Sequence, residues 1–138
     1  FMYKHILVAV DGSDNSLRAM EDAIKVASAE SQIEILYVSS TGHIASDILK
    51  AGTLDEYNEQ NRQKFAREEA AVKASGIAYK VTIEYGDAGK TIAKYAKDNA
   101  VDLVVIGCRG LNPIQEMVFG SVSTYVMNHV NCSCLLVK

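Results

Sequence analysis

Residues 4–10, Lys4 followed by His5-Ile6-Leu7-Val8-Ala9-Val10, form a short apolar run through which no polar residue alternates. Such a run reads as a strand covered on both faces, and Asp11-Gly12-Ser13-Asp14 ends it with a turn. The constraint is severe, because a strand buried on both sides needs a layer above it and another below. Leu17, Met20, Ile24 and Ala27 then recur at helical spacing, with Ser13 or Asp14 placed to cap the helix start. Ile33 to Val38 is a second apolar strand. The opening is therefore β-α-β, and its crossover helix requires a parallel strand pair.

The pattern is weakest over residues 39–57, where Ser39-Ser40-Thr41-Gly42 marks a loop. Tyr57 to Ala74 predicts a helix with Phe65, Ala66, Glu69 and Val72 at suitable spacings, stopped by Ser75-Gly76. Tyr79 to Tyr85 alternates as a strand, Gly86-Asp87-Ala88-Gly89 turns, and Thr91 to Asn99 is a short helix. Val101 to Ile106 is the clearest buried strand. Gly120 to Val130 predicts a helix with Val122, Tyr125, Val126 and His129 on one face, and Cys134 to Val137 a closing strand. Five strands alternating with four helices predict a doubly wound α/β sandwich on a parallel sheet. Right-handed crossovers with helices on both faces give the strand order 3-2-1-4-5. That order puts a topological switch point between strands 1 and 4, and ligands of such sheets bind there, outside the carboxyl ends of the strands.

Composition narrows the function. A chain of 138 residues suits one domain and buries roughly two-thirds of its unfolded surface, so no disulfide or metal staple is needed. A formal charge of −3 offers no electrostatic footprint for nucleic acid or an anionic membrane. Cys108, Cys132 and Cys134 make an odd count, no secretion signal opens the chain, and no apolar run approaches the roughly 20 residues of a membrane span. The expectation is a cytoplasmic protein without nucleic-acid or membrane partners. Phe1, ahead of Met2, is read as extraneous.

Around the switch point the residues are those a phosphate needs. Ile106 ends strand 4, Gly107-Cys108-Arg109-Gly110 follows, and after nine more residues Gly120-Ser121 opens a helix. Glycine lets backbone N–H groups approach an anion without a Cβ in the way, and a helix start adds unpaired N–H groups and a positive dipole end. Ser121 and Ser123 add hydroxyls, Arg109 a cation, and Asp11 lies across the gap, placed to hydrogen-bond a ribose or organise a metal. The plain alternative is that these glycines only turn the chain.

The pattern Gly-x2-Gly-x9-Gly-Ser, from Gly107 to Ser121, resembles the nucleotide-binding signature of universal stress proteins. The resemblance runs over residues 2–138 and includes Ile6-Leu7-Val8-Ala9-Val10-Asp11-Gly12-Ser13, Asp102-Leu103-Val104-Val105-Ile106-Gly107, Gly120-Ser121-Val122-Ser123 and the close from His129 to Val137. It implies a Rossmann-like sandwich of the adenine nucleotide alpha hydrolase-like kind, binding ATP with magnesium or manganese. Asp11 would face the ribose and metal, and backbone at Ala9 and Val38 would hold adenine. Gly107, Arg109, Gly110, Gly120, Ser121, Val122 and Ser123 would hold the phosphates, and Ile106 would also belong to the nucleotide site. It also implies a homodimer paired through residues 134–138, acting as a stress-response switch read by a protein partner. Two features depart from the family pattern: Pro113 and Glu116 stand in a loop that is often basic, and Ser133 stands where proline is frequent. Two other functions stay open: a slow ATPase or phosphotransferase, and a dimer that works without nucleotide. No good general base is visible, so any hydrolysis is expected to be weak.

Other features read as structural. Gly86-Asp87-Ala88-Gly89-Lys90-Thr91 looks like a phosphate loop, but only two residues separate its glycines where four are needed, and Glu84 occupies the first glycine's place. It reads as a turn and helix cap. His129, Cys132 and Cys134 lack the paired spacing of a zinc site and read as core, Tyr125 and Met127 as packing residues, and Cys108 as a small turn residue with a redox sensor as its rival. His5 and His43 receive no role. The charge-rich stretch from Glu59 to Lys73 reads as a solvated helix face.

Overall fold

A computed structural model describes residues 2–40, 44–108 and 120–138. The elements in chain order are β1 (His5–Val10), α1 (Asp14–Val26), β2 (Gln32–Ser39), α2 (Ile44–Ala51), α3 (Leu54–Gln63), α4 (Ala66–Ser75), β3 (Ala78–Tyr85), α5 (Ala88–Asp98), β4 (Leu103–Gly107), α6 (Ser121–His129) and β5 (Ser133–Val137). One parallel sheet carries the order β3-β2-β1-β4-β5, as the sequence pattern predicts.

Strand pleating divides the core. Ile6, Val8, Val10, Ile33 and Ile35 point to the face where Met20 and Ala23 of α1 and Val72 of α4 pack. Leu7, Ala9, Leu36, Val104 and Ile106 point to the other, under Ile92 and Ala96 of α5 and Val126 of α6. Every residue from Ile6 to Val10 is buried, which is why that run carries no polar alternation.

The helices depart from the sequence expectation in three places. A separate helix, α2, forms in the stretch after Gly42, where the sequence carries only a weak helical pattern. The single helix expected over Tyr57–Ala74 is two, α3 and α4, because Lys64 N and Phe65 N bond back three residues, to Asn61 and Arg62, and break the ladder. Phe65 thereby turns fully into the core and stacks on Tyr37, with ring centroids 5.4 Å apart. Third, α5 starts three residues earlier than Thr91, since Asp87 caps it by accepting the Lys90 N–H at 3.1 Å. The described residues thus hold six helices, not four.

Several side chains expected in the core lie elsewhere. His129 is exposed, with Nδ1 2.7 Å from the Tyr125 carbonyl and its ring stacked on Tyr125, and Met127 is exposed too. The reading of Glu59–Lys73 as a solvated face also fails at two positions, Asn61 and Glu68, which are completely buried. His5, given no role, is 2.7 Å from Glu34, a buried acid in β2 that also accepts Thr82 Oγ1–H at 2.6 Å and Tyr95 O–H. Lys80 Nζ lies 3.6 Å from the same carboxyl. Burial pushes the Glu34 carboxyl up, but these hydrogen bonds and the lysine charge outweigh it and hold the pKa below the usual glutamate value.

Candidate functional site

At the carboxyl end of the sheet, β1 pairs with β2 on one side and β4 on the other, and the helices that follow β1 and β4, α1 and α6, pack on opposite faces. The cleft between them has a volume of about 150 Å³. Its floor is apolar: Ala9 and Val10 of β1, Leu36 and Val38 of β2, Ile92 of α5 and Ile106 of β4. One wall is the turn after β1, with Asp11, Ser13 and Ser16, and the facing wall is Gly107 and the start of α6, Gly120 to Ser123. Ala88 at the start of α5 closes the side.

The two walls differ in how their helix starts are finished. On α1, Ser13 is the N-cap and its hydroxyl accepts the Ser16 N–H at 3.1 Å, which settles the choice between Ser13 and Asp14. On α6 the cap position is Gly120, which has no side chain to offer. The first N–H groups of that helix have no intrahelical acceptor, so Ser121, Val122 and Ser123 present donors without a partner among the described residues, and a positive dipole end, beside the cleft. The Ser123 hydroxyl donates back to the Gly120 carbonyl at 3.0 Å.

Gly107 is glycine because a Cβ there would lie 2.7 Å from the Asn15 carbonyl oxygen at the start of α1. Asn15 Nδ2 donates to the Cys108 carbonyl, and Cys108 N–H donates to Val137 at 2.7 Å. The start of α1 and the ends of β4 and β5 are thus laced together. Cys108 is 2% exposed, which shields it from reagents in solution.

Opposite α6 stands Asp11. Its Oδ1 accepts the Ser13 N–H at 2.9 Å, and its Oδ2 has no partner among the described residues. No group of three or more His, Cys, Asp or Glu side chains suited to a metal occurs among the described residues, His129, Cys132 and Cys134 included. A divalent ion at Asp11 would take one protein oxygen and most of its ligands from bound phosphates and water, the usual arrangement for magnesium with a nucleotide.

The phosphate-loop look-alike has its physical account here. Asp87 caps α5, and Gly89 is small because a Cβ would press at 3.1 Å on the Tyr125 ring of α6. Of the residues singled out from sequence, Ala9, Asp11, Val38, Ile106, Gly107, Gly120, Ser121, Val122 and Ser123 all line this one cleft. Arg109 and Gly110, with Pro113, Glu116 and His43, lie outside the described residues. Sequence reading missed Leu36, Ser13, Ser16, Ala88 and Ile92; the period of two along β2 places Leu36 on the same face as Val38.

The universal stress protein family model matches residues 2–138. The chain belongs to the universal stress protein family. This universal stress protein is 34% identical over 152 residues to universal stress protein Sll1388 of Synechocystis sp., covering 99% of this chain and 98% of that one. Among solved structures, universal stress protein UspA from Lactobacillus plantarum superposes with a TM-score of 0.79 at 28% identity, over 100% of this chain and 99% of the other. A universal stress protein solved in complex with cAMP superposes with a TM-score of 0.67 at 27% identity, covering 100% and 98%. The strand order and layering are those of this family. No helix among the described residues is long and apolar enough to cross a membrane.

Proposed function

We propose that residues 2–138 form a single ATP-binding module, with magnesium or manganese held between Asp11 and the phosphates, whose nucleotide-bound homodimer acts as a regulatory switch in stress. The observation that carries the reading is the uncapped start of α6, facing Asp11 across an apolar floor. Phosphate satisfies the N–H groups of Ser121 to Ser123, a flat base suits the floor of Ala9, Leu36, Val38 and Ile106, and a ribose hydroxyl or a metal suits Asp11. The cleft, at about 150 Å³, is below the roughly 300 Å³ of common small-molecule pockets, so a nucleotide would seat its base inside and extend its phosphates along α6. The relative solved with cAMP supports an adenine nucleotide as the class of ligand.

Dimer pairing through residues 134–138 is supported by the position of β5 at the sheet edge, with Cys134, Leu135 and Leu136 only half-buried. An edge strand with apolar side chains gains by pairing with a second copy.

Calorimetric titration with magnesium-ATP tests the module. One saturable site per chain that disappears in Gly120→Val is the expected result. At 100 times the dissociation constant, ATP should add about 2.7 kcal/mol to folding stability. A well-folded protein that shows no heat and no shift in melting temperature refutes it and leaves a nucleotide-independent dimer. Turnover of ATP above about 1 per second would make the protein an enzyme and not a binding switch.

A further inference from the structure

Glu68 of α4 is 0% exposed, and no cationic side chain pairs with it among the described residues. Acidic side chains are seldom buried in this way without a partner. Its neighbour Arg67 goes elsewhere, to Asp14 Oδ1 at 3.0 Å and the Gly12 carbonyl at 3.2 Å. What Glu68 does hold is the turn after β1. Its Oε2 accepts the Gly12 N–H at 3.1 Å and the Ser16 Oγ–H at 2.9 Å, and Ser16 Oγ in turn accepts the Asp11 N–H at 3.1 Å. Oε1 is buried and has no partner among the described residues, so half of the carboxyl contributes nothing to cohesion.

The same turn is gripped from a second direction. Gly12 has φ +84°, and its missing Cβ admits the Lys64 carbonyl oxygen, set free where the break between α3 and α4 falls. With Arg67 on the Gly12 carbonyl and Glu68 on the Gly12 N–H, both polar groups of one peptide residue are fixed by adjacent side chains of α4. A hydrophobic side chain in place of Glu68 would pack as well and leave the turn unheld.

We propose that Glu68 is a positioning residue for the cleft: through the Gly12 N–H and Ser16 Oγ it holds the Asp11–Ser13 turn so that the Asp11 carboxyl faces the ligand. Assigning that ligand as a nucleotide rests on the function proposed above. Glu68→Met, of similar length but without an acceptor, releases the turn. Glu68→Gln keeps one carbonyl oxygen and largely restores it.

Two measurements on the full chain decide the matter. In the ligand-free protein, amide hydrogen exchange at Gly12 and Asp11 should rise about tenfold in Glu68→Met, the cost of a lost hydrogen bond, while amides of β4 and α6 keep their rates. Magnesium-ATP affinity should fall by the same factor, because fewer molecules hold the competent turn. Glu68→Gln should stay within about threefold of wild type in both. In an Asp11→Ala background, Glu68→Met should cost no further affinity, which a merely structural role would not produce. Should Glu68→Met not fold, Ser16→Ala cuts the relay at its middle and should speed exchange at Asp11 alone. Unchanged exchange at Gly12 and Asp11, or an affinity loss additive with Asp11→Ala, overturns the assignment. Failure of wild type to bind any adenine nucleotide overturns the nucleotide reading instead, and the exchange rates still decide whether Glu68 holds the turn.

Discussion

Gly12→Ala and Gly76→Ala make a matched pair that isolates one contact. Both glycines have left-handed backbone, φ +84° and +78°. A Cβ at position 76 meets nothing within 4 Å, whereas at position 12 it would press deep into the Lys64 carbonyl oxygen. An alanine in this conformation costs about 1–2 kcal/mol, offset by about 0.4–1 kcal/mol from the stiffer unfolded chain. Gly76→Ala should therefore lose about 1 kcal/mol. Gly12→Ala adds an overpacking cost of about 1–3 kcal/mol, since the atom in the way is backbone and Phe65, next along the chain, is locked in the core. The unfolding entropy of a chain this long is about 0.3 kcal/mol/K, so 1 kcal/mol moves the melting temperature by about 3–4 °C. Scanning calorimetry should then show a loss of about 3 °C for Gly76→Ala and about 7–14 °C for Gly12→Ala. Equal losses would refute the reasoning, because they would mean that the α3–α4 break yields freely and does not grip the turn.

Glu34 ties stability to pH on the acid side. Its folded pKa is depressed, so its contribution is in full force above the unfolded value of about 4.3 and is lost as pH falls through the lower folded value. Urea titrations between about pH 3 and pH 6 should show stability falling with acid in wild type and a flatter profile in Glu34→Gln. An identical slope in both would refute this account. Burial, then the neighbouring Cys132 and Cys108, push the Cys134 thiol up to about 11. At pH 8 only about one Cys134 in a thousand is thiolate, so iodoacetamide should label it over a hundredfold more slowly than a free cysteine, as read by peptide mass mapping.

What the sequence discloses and what it hides follow from where the partners sit. The runs around Ile6–Val10 and Val101–Ile106 are legible because both their faces are buried, and composition alone records that. Glycines at 107 and 120 are legible because spacing along one chain suffices to set the motif. Glu68 is invisible within the charge-rich stretch, since its partners Gly12 and Ser16 lie 56 and 52 residues away. The α3–α4 break is hidden for a related reason: Phe65 and Val72 fit one continuous helix, and only the pocket beside Tyr37 draws Phe65 out of it. His129 shows the reverse error: Val122, Tyr125 and Val126 on the same spacing pack against the core and α5, but His129 at the end of that face is exposed.

The pairing of β1 with β4 joins Ile6 to Leu103, residues 97 apart in the chain. A chain emerging from synthesis can assemble β1, β2 and β3 from local crossovers, but it then has only the Asp11 side of the cleft. The other side arrives with the last third of the sequence, through a long loop closure that such sheets make slowly. A ligand touching both sides recognises only the finished molecule, and its binding energy falls on the seam that closes last. On the function proposed above, occupancy is therefore also a report that folding is complete, and a truncated or half-assembled chain would compete for none of the ligand.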